Sequence, residues 1–597
     1  MRFEPTNTCF CASEAEFAGV GLRGARIGRQ LELTKSKLTG TLDMDGAQVG
    51  SSLFMHEAEF ADVVMRSASI GGLLRLSRSK VTGKLDMSGV QVNSFLLMDH
   101  AKFADVGLFG AHIVGQLHLD CSKVTGRLGM DALRADQYAF LREAEFAGVV
   151  LRGARVGGQL ELTKSKVTGN LDMYGVQVGS ALLMHEAEFA DVVLRGARVG
   201  GQLDLARTKV TGKLDMTMLQ VDSSLFMANA QFAEVVMRGA RVGGQHDLSE
   251  SKVTGKLIME VLSVGAALHM SKAELTEVNI SSAHVGGELS LLGSKVSETL
   301  TMHAVRIDKD LFLGRGSEYH GAIHIVFGKI GGSLELTGGI FHDIVQLTGT
   351  QVTGELRLAS SKDDLPRWLK ESALILRSAR ADAIQDLKDA WPPKNRLELT
   401  GFTYRSLGGV FTPERDSIGG RRVEWFQEWL GRQKEYTAAP YEHLATVLRS
   451  HGRAQDAQEI LYASREGERA DTIQRAREEY SLGAFPESIG SFFQYAWLTI
   501  LKCLIGYGYH IERTLIWVAV FIFAGFLVLQ ISGQGRKNGM PVGITYSFDM
   551  LLPIIELRKK HYDIDLEGWP RYYFYGHKIM GYVLASFLIA GIAGLTK

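Results

Sequence analysis

Seven lysines fall at a fixed interval in the first half of the chain. Lys37, Lys80, Lys123, Lys166, Lys209, Lys252 and Lys295 are each 43 residues apart. Arg23, Arg66, Arg152, Arg195 and Arg238 keep the same step. Cationic groups at regular spacing suit contact with an anionic polymer or an anionic lipid surface, which makes the lysines a candidate binding face. Glu59, Glu145, Glu188 and Glu274 share the interval, so the exterior is expected to be mixed in sign. A second group has a different chemistry. Tyr546, Asp549, Pro553 and Glu556 lie in the apolar stretch ITYSFDMLLPIIEL, residues 544–557. Ionisable groups at membrane depth are functional suspects, and these four are candidate pore or re-entrant residues.

No covalent, redox or metal chemistry is legible beside them. Gly19-Val20-Gly21-Leu22-Arg23-Gly24 matches G-x-G-x-x-G, but a dinucleotide site needs that match between a strand and a helix. Later copies of the same stretch read ADVVLRG, so the match comes from repetition. Gly83-Lys84, Gly212-Lys213 and Gly255-Lys256 lack the upstream glycine and the following Ser/Thr of a P-loop. Cys9-Phe10-Cys11 is a single C-x-C without a second ligand pair for zinc. The histidines form neither H-E-x-x-H nor a triad pattern. No catalytic residue, cofactor-binding residue or metal ligand is assigned, no cofactor is expected, and the chain reads as a non-enzyme.

The elements that position these residues follow from the repeat. The segment LRGARIGRQLEL at residues 22–33 recurs from Met65, Leu108, Leu151, Leu194, Met237 and Ile280. The phrase SKLTGTLDM at residues 36–44 returns with the same step as far as residues 294–302. Strict periodicity of this kind marks a solenoid, whose units bury their apolar edges only against each other. Within a phrase the apolar residues alternate, as in Leu38, Leu42 and Met44, which is the period of a strand. Two phrases make a coil the size of a parallel β-helix, and some sixteen coils would give a rod of roughly 75–80 Å. Glycines in mid-phrase, such as Gly40, are expected at corners of unusual backbone geometry. The solenoid is assigned to residues 12–358.

Residues 359–490 are charged, carry helical spacing, and are expected to form an α-helical cap and linker. Trp368, Leu369 and Trp391 would cover the last coil, and a tetratricopeptide-like hairpin would turn at Gly452. In the membrane segment, 491–597, the runs 514–531 and 577–595 are expected to span a bilayer. Residues 492–509 would lie in the interface as an amphipathic helix, and 544–557 would be re-entrant. Gly581 and Ala585 would let helices approach closely.

The whole chain of 597 residues balances 66 basic against 66 acidic side chains, which gives no electrostatic reason to expect nucleic acid as a partner. Four scattered cysteines form no disulfide framework, and no apolar leader is visible in the first residues. The large N-terminal body is therefore expected on the cytoplasmic side of the membrane. The basic loop between the spans, with Arg536, Lys537, Arg558, Lys559, Lys560 and Arg571, favours the opposite orientation.

The degenerate coils, the YGYHIERTL leading into the first span, and the block from DMLLPIIELRKKHYDIDLEGWPRYY to the C-terminus together resemble bacterial membrane-tethered solenoid proteins. In style these are similar to pentapeptide-repeat and bactofilin-like coils, and they often carry the loose label of membrane-associated oxidoreductase. The resemblance implies a mainly β chain: a parallel β-helix solenoid, a small α-helical domain and a C-terminal transmembrane helical hairpin. The span, re-entrant segment and span, closing in GHKIMGYVLASFLIAGIAGL, also resemble simple two-span ion channels. The channel filter T-x-G-Y-G is absent after the pore helix; GYGY stands at residues 506–509, ahead of the first span. The expected function is a membrane-anchored scaffold or binding protein that partners the lipid bilayer and either a protein or copies of itself. A solenoid-gated channel and an oxidoreductase are the alternatives.

Overall fold

The computed structural model describes residues 9–408, 418–481, 485–510, 512–540 and 543–592. The chain divides into two compact units, Met1–Gly420 and Arg421–Lys597.

The first unit is a parallel β-solenoid of about 18 turns, which at ~4.8 Å per coil gives a rod of roughly 85 Å. Coils of 21 and 22 residues alternate: Phe10 faces Leu31, Leu31 faces Leu53, and Leu53 faces Leu74. Most coils contain short strands such as Arg26–Ile27 and Leu31–Glu32 and a longer one such as Lys37–Asp43. Side chains alternate in and out, so Leu38 and Leu42 are buried while Lys37, Thr39 and Thr41 are exposed. The methionines repeating from Met44 to Met302 and the phenylalanines from Phe60 to Phe232 stack in files in the rod interior.

A bulge explains why the repeat is two coils long. Seven-residue strands such as Lys80–Asp86 alternate with six-residue strands such as Lys102–Gly107. The extra residue slips the register between Val81 and Lys84. The Lys84 N–H leaves the ladder and donates to Asp62 Oδ1 of the preceding coil at 2.8 Å. Arg127 N–H donates to Asp105 in the same way, and Lys213 N–H to Asp191, each at 2.7 Å. A side chain at Gly83, Gly126 or Gly212 would collide with that carboxylate. The recurring T-G-[KR] is thus a bulge with an acidic brace. Asp105→Ala is expected to cost about 0.5–1 kcal/mol locally, read as faster hydrogen exchange at the Arg127 amide; unchanged exchange there would refute the brace.

Hydroxyls staple alternate coils. Buried Ser79, Ser122 and Thr208 donate to the carbonyls of Met55, Met98 and Met184 at 2.6, 2.6 and 2.8 Å. The intervening coils carry alanine at that place, and Ala101 N–H returns a hydrogen bond to Ser122 Oγ at 3.1 Å.

Two sequence expectations need correction. The mid-phrase glycines are not the left-handed corners. Those corners are residues such as Lys35, Glu57 and Arg78 on one side and Gly24, Gly46 and Ser67 on another, all at positive φ. Gly40 is small because a Cβ there would overlap the Ala18 carbonyl of the preceding coil. The coil also does not end at residue 358 in a helical cap. Gln351–Arg357 pairs with Arg380–Gln385, which pairs with Thr403–Leu407. Polar insertions between coils break the 43-residue step, yet Leu374, Leu376, Leu397 and Leu399 still fill the interior. Between 359 and 407 the only helix among the described residues is the 3-10 turn Lys362–Asp364. Trp368 lies in a strand and stacks on Phe341 at 4.9 Å.

The second unit is helical among its described residues. It comprises α1 (Val423–Leu430), α2 (Ala439–Ser450), α3 (Ala454–Ser481), α4 (Phe485–Ile505), α5 (Glu512–Ile531), α6 (Gln534–Lys537), α7 (Ile544–Leu551), α8 (Lys559–Tyr562) and α9 (Trp569–Ile592). Gly452 turns α2 into α3 at φ 77°. Gly506, Tyr507 and Gly508, all left-handed, reverse the chain between α4 and α5. Leu529, Tyr546, Met550, Leu566 and Phe574 form a core where α5, α7 and α9 meet.

Candidate functional site

The seven repeating lysines do share one exposed file on the solenoid; all but Lys295 begin a seven-residue strand. Their neighbours along that file are chiefly acids. Lys123 Nζ lies 2.6 Å from Glu145, Lys166 3.0 Å from Glu188, and Lys252 2.7 Å from Glu274. Lys37 and Lys295 reach Glu16 and Glu318 at 3.8 and 3.9 Å. Lys80 registers with Glu59 on one side and Lys102 on the other, and Lys209 with Glu188 and Gln231. The Lys123 ammonium holds the Glu145 carboxyl below its ordinary range. Exposed pairs of this kind contribute little stability, and they largely cancel the positive field of the column.

Another outward file behaves differently. It begins at Arg26 and climbs one residue per coil through Gln48, Ser69, Gln91 and His112. It continues through Arg134, Arg155, Gln177, Arg198, Gln220 and Arg241. Ser263, His284, Arg306, Lys329, Gln351, Arg380 and Thr403 complete it. No acidic residue occupies any position of the file. Beside its central part runs an open groove of about 790 Å³, whose floor includes Gly157, Gly179 and Gly200. Asp136 in the groove is engaged by Arg134 at 2.7 Å and His112 at 2.9 Å. Arg155, Arg198 and Arg241 have no acidic partner within salt-bridge distance among the described residues. They stand two coils apart, ~9–10 Å, with Gln177 and Gln220 as hydrogen-bonding groups between them.

This file was missed from sequence because counting charges by the 43-residue step samples only every second coil. Following one position through both the 21- and the 22-residue coil separates the acid-free file from the mixed one.

In the helical unit, Ile489–Gly508 and Glu512–Ile531 are long and apolar enough to cross a membrane. The stretch expected to lie in the interface, 492–509, therefore belongs to a helix of spanning length. Over its described residues α9 is not among the helices of spanning length. Residues 593–595 of the expected second span lie outside the described residues. Phe493, Trp497, Leu515, Ile516, Phe523 and Ile531 expose large apolar side chains on α4 and α5.

Asp549, on α7, is completely buried. Its carboxylate accepts from Leu557 N–H at 2.9 Å, Arg558 N–H at 3.2 Å and His561 Nδ1 at 2.8 Å. It braces the non-helical turn between α7 and α8, and those bonds account for its burial. Tyr546 is buried edge-on against Phe574 and His561. Pro553 is half-buried, and Glu556 projects from an exposed tip with Ile554, Ile555 and Leu557. On α3, burial of Glu466 opposes its charge. Hydrogen bonds from Lys502, Tyr507 and Arg469 at 2.7, 2.7 and 3.1 Å prevail and hold its carboxyl below the usual range.

Cys9 and Cys11 are free, exposed thiols. No protein-family model, curated protein or solved structure matches this chain.

Proposed function

We propose that this protein is a non-enzymatic, membrane-anchored β-solenoid scaffold. In this reading the Arg–Gln file and its groove, rather than the lysine file, receive an extended acidic segment of a protein partner. The observation that carries the reading is a file with no acid at any of its own positions running the length of the rod, whereas most of the lysine file, on the other sheet of the coil, is paired with glutamates. A polyproline-II-like extended chain advances about 3.1 Å per residue and presents the same face every third residue, so an acid at every third position would meet Arg155, Arg198 and Arg241 in turn. Anchoring is supported by two helices of spanning length whose large apolar side chains face outward. The assignment to a bacterial inner membrane with the solenoid in the cytoplasm follows the sequence reading and the resemblance to membrane-tethered solenoids.

The test is in-cell photo-crosslinking from Gln177, compared with Lys166. Discrete protein adducts are expected from Gln177, reduced at least about tenfold by Arg155→Glu with Arg198→Glu. Equal adducts from both faces, or insensitivity to the charge reversal, would overturn the assignment of the face. Recovery of the intact chain in the soluble pool would overturn the anchoring.

A further inference from the structure

Between Lys295 and Trp368 the solenoid departs from its own repeat. In the regular coils the second residue after the outward-facing charge is small: Ala61 after Glu59, Thr82 after Lys80, Ser297 after Lys295. In the next two coils it is histidine, His320 after Glu318 and His342 after Ile340. These coils are adjacent, because Glu318 pairs with Ile340 and Tyr319 with Phe341. A separation of one coil therefore stacks the two imidazoles, with ring centroids 4.3 Å apart and planes inclined by 19°.

We infer that Glu318, His320 and His342 form a divalent transition-metal site on the solenoid surface, with zinc the best-suited ion. Glu318 Oε1 lies 3.5 Å from His320 Nε2 and 3.1 Å from His342 Nε2. The three ligand atoms all fall within 4.8 Å of one another. Zinc bonds of about 2.0–2.1 Å put tetrahedral ligand atoms about 3.4 Å apart, so two edges of that tetrahedron already have nearly the required length. The donor set suits the ion: two neutral imidazoles and one carboxylate are borderline ligands that favour zinc over magnesium or calcium. Lys295 approaches the other carboxylate oxygen, Oε2, at 3.9 Å and leaves Oε1 free to coordinate.

The support beneath the site is rigid. Tyr319 stacks on Phe341 at 5.7 Å with planes 6° apart, and Phe341 stacks on Trp368 at 4.9 Å. That aromatic column, buried at Tyr319 and Phe341 and half-buried at Trp368, packs beneath the paired strands whose ladder sets the spacing of the histidines one residue further on. The ligand side chains are themselves between a quarter and a half exposed. An ion there keeps at least one coordination position open to water or to a donor from a partner. Three protein ligands with an open position is an exchangeable arrangement, unlike the closed four-ligand sites that hold folds together.

Full-length protein in detergent, titrated with zinc chloride at neutral pH, is expected to bind one equivalent with a calorimetric signal. Cobalt(II) in its place is expected to give the visible absorption of a tetrahedral site. His320→Ala combined with His342→Ala should abolish that equivalent, and Glu318→Gln should weaken it by at least about tenfold. Unchanged thermal unfolding of the metal-free variants would show that the ligands, not the fold, were lost. Failure of the wild-type chain to bind zinc, or one equivalent retained by the double-alanine variant, would overturn the site.

Discussion

His246→Leu is expected to stabilise the middle of the solenoid by about 2 kcal/mol and to remove most of its acid sensitivity. His246 is completely buried at a place where both neighbouring coils carry leucine, Leu225 and Leu268. Its Nδ1 lies 3.4 Å from the Leu225 carbonyl, and its Nε2 has no hydrogen-bond partner. An unsatisfied polar atom in an apolar interior costs about 1–3 kcal/mol, and leucine fills similar space without it. Burial, only partly offset by the Leu225 carbonyl and Asp247, pushes the imidazole down to about 4. In the unfolded chain it titrates near 6.5. Between those two values the unfolded state binds a proton that the folded state refuses. Stability therefore falls as pH drops from ~6.5 toward ~4, by on the order of 3 kcal/mol, and this contribution levels off below. Long repeat arrays need not unfold in one step. The measurement is accordingly hydrogen exchange of the coils spanning residues 225–268 at pH 7 and pH 5. Protection in the wild type should drop at pH 5, and in the leucine variant it should hold. Equal pH dependence in both would refute the role of His246.

Gly581→Val is expected to disrupt the helical unit, with an overpacking cost of about 3 kcal/mol. A Cβ at Gly581 would overlap the Leu551 carbonyl where α9 crosses the end of α7. The clashing partner is backbone, so no rotamer change relieves it. That crossing is held by His577 Nε2 donating to the Ser547 carbonyl at 3.0 Å, and Ser547 Oγ in turn ties α7 to the Ile522 carbonyl of α5 at 2.8 Å. Displacing α9 would break the first of these within an apolar cluster. Gly576, on the same helix, has nothing within contact distance of an added Cβ. Gly576→Ala is thus the control, and should be neutral or stabilising by up to ~1 kcal/mol through helix propensity. Thermal unfolding and limited proteolysis in detergent separate the outcomes. If the two variants behave alike, close packing at Gly581 is not what holds the crossing.

Sequence and structure agree where contacts are local to the repeat. Leu38, Leu42 and Met44 announce strand and interior through alternation alone, because a stacked coil offers each position the same neighbours in the coils above and below. The role of Gly83 was not visible in that pattern. It depends on Asp62 in the preceding coil, which fills the space a side chain would need. Nor could the end of the solenoid be read from the loss of a 43-residue step. Residues 359–407 keep the L-x-L spacing that fills the rod while the loops between coils grow. His320 and His342 look unrelated at 22 residues apart until that interval is recognised as one turn of the coil.

By itself, the amino-acid sequence determined the parallel solenoid, the spacing of its charges and the apolar character of the C-terminal part, because repetition and hydrophobic patterning act between near neighbours in a regular lattice. Only the tertiary structure decided which cations are neutralised and which are free, that Asp549 braces a turn, and that three ligands converge near Trp368. Those outcomes depend on distances across coils and between helices, and such distances are set by packing and register rather than by residue type.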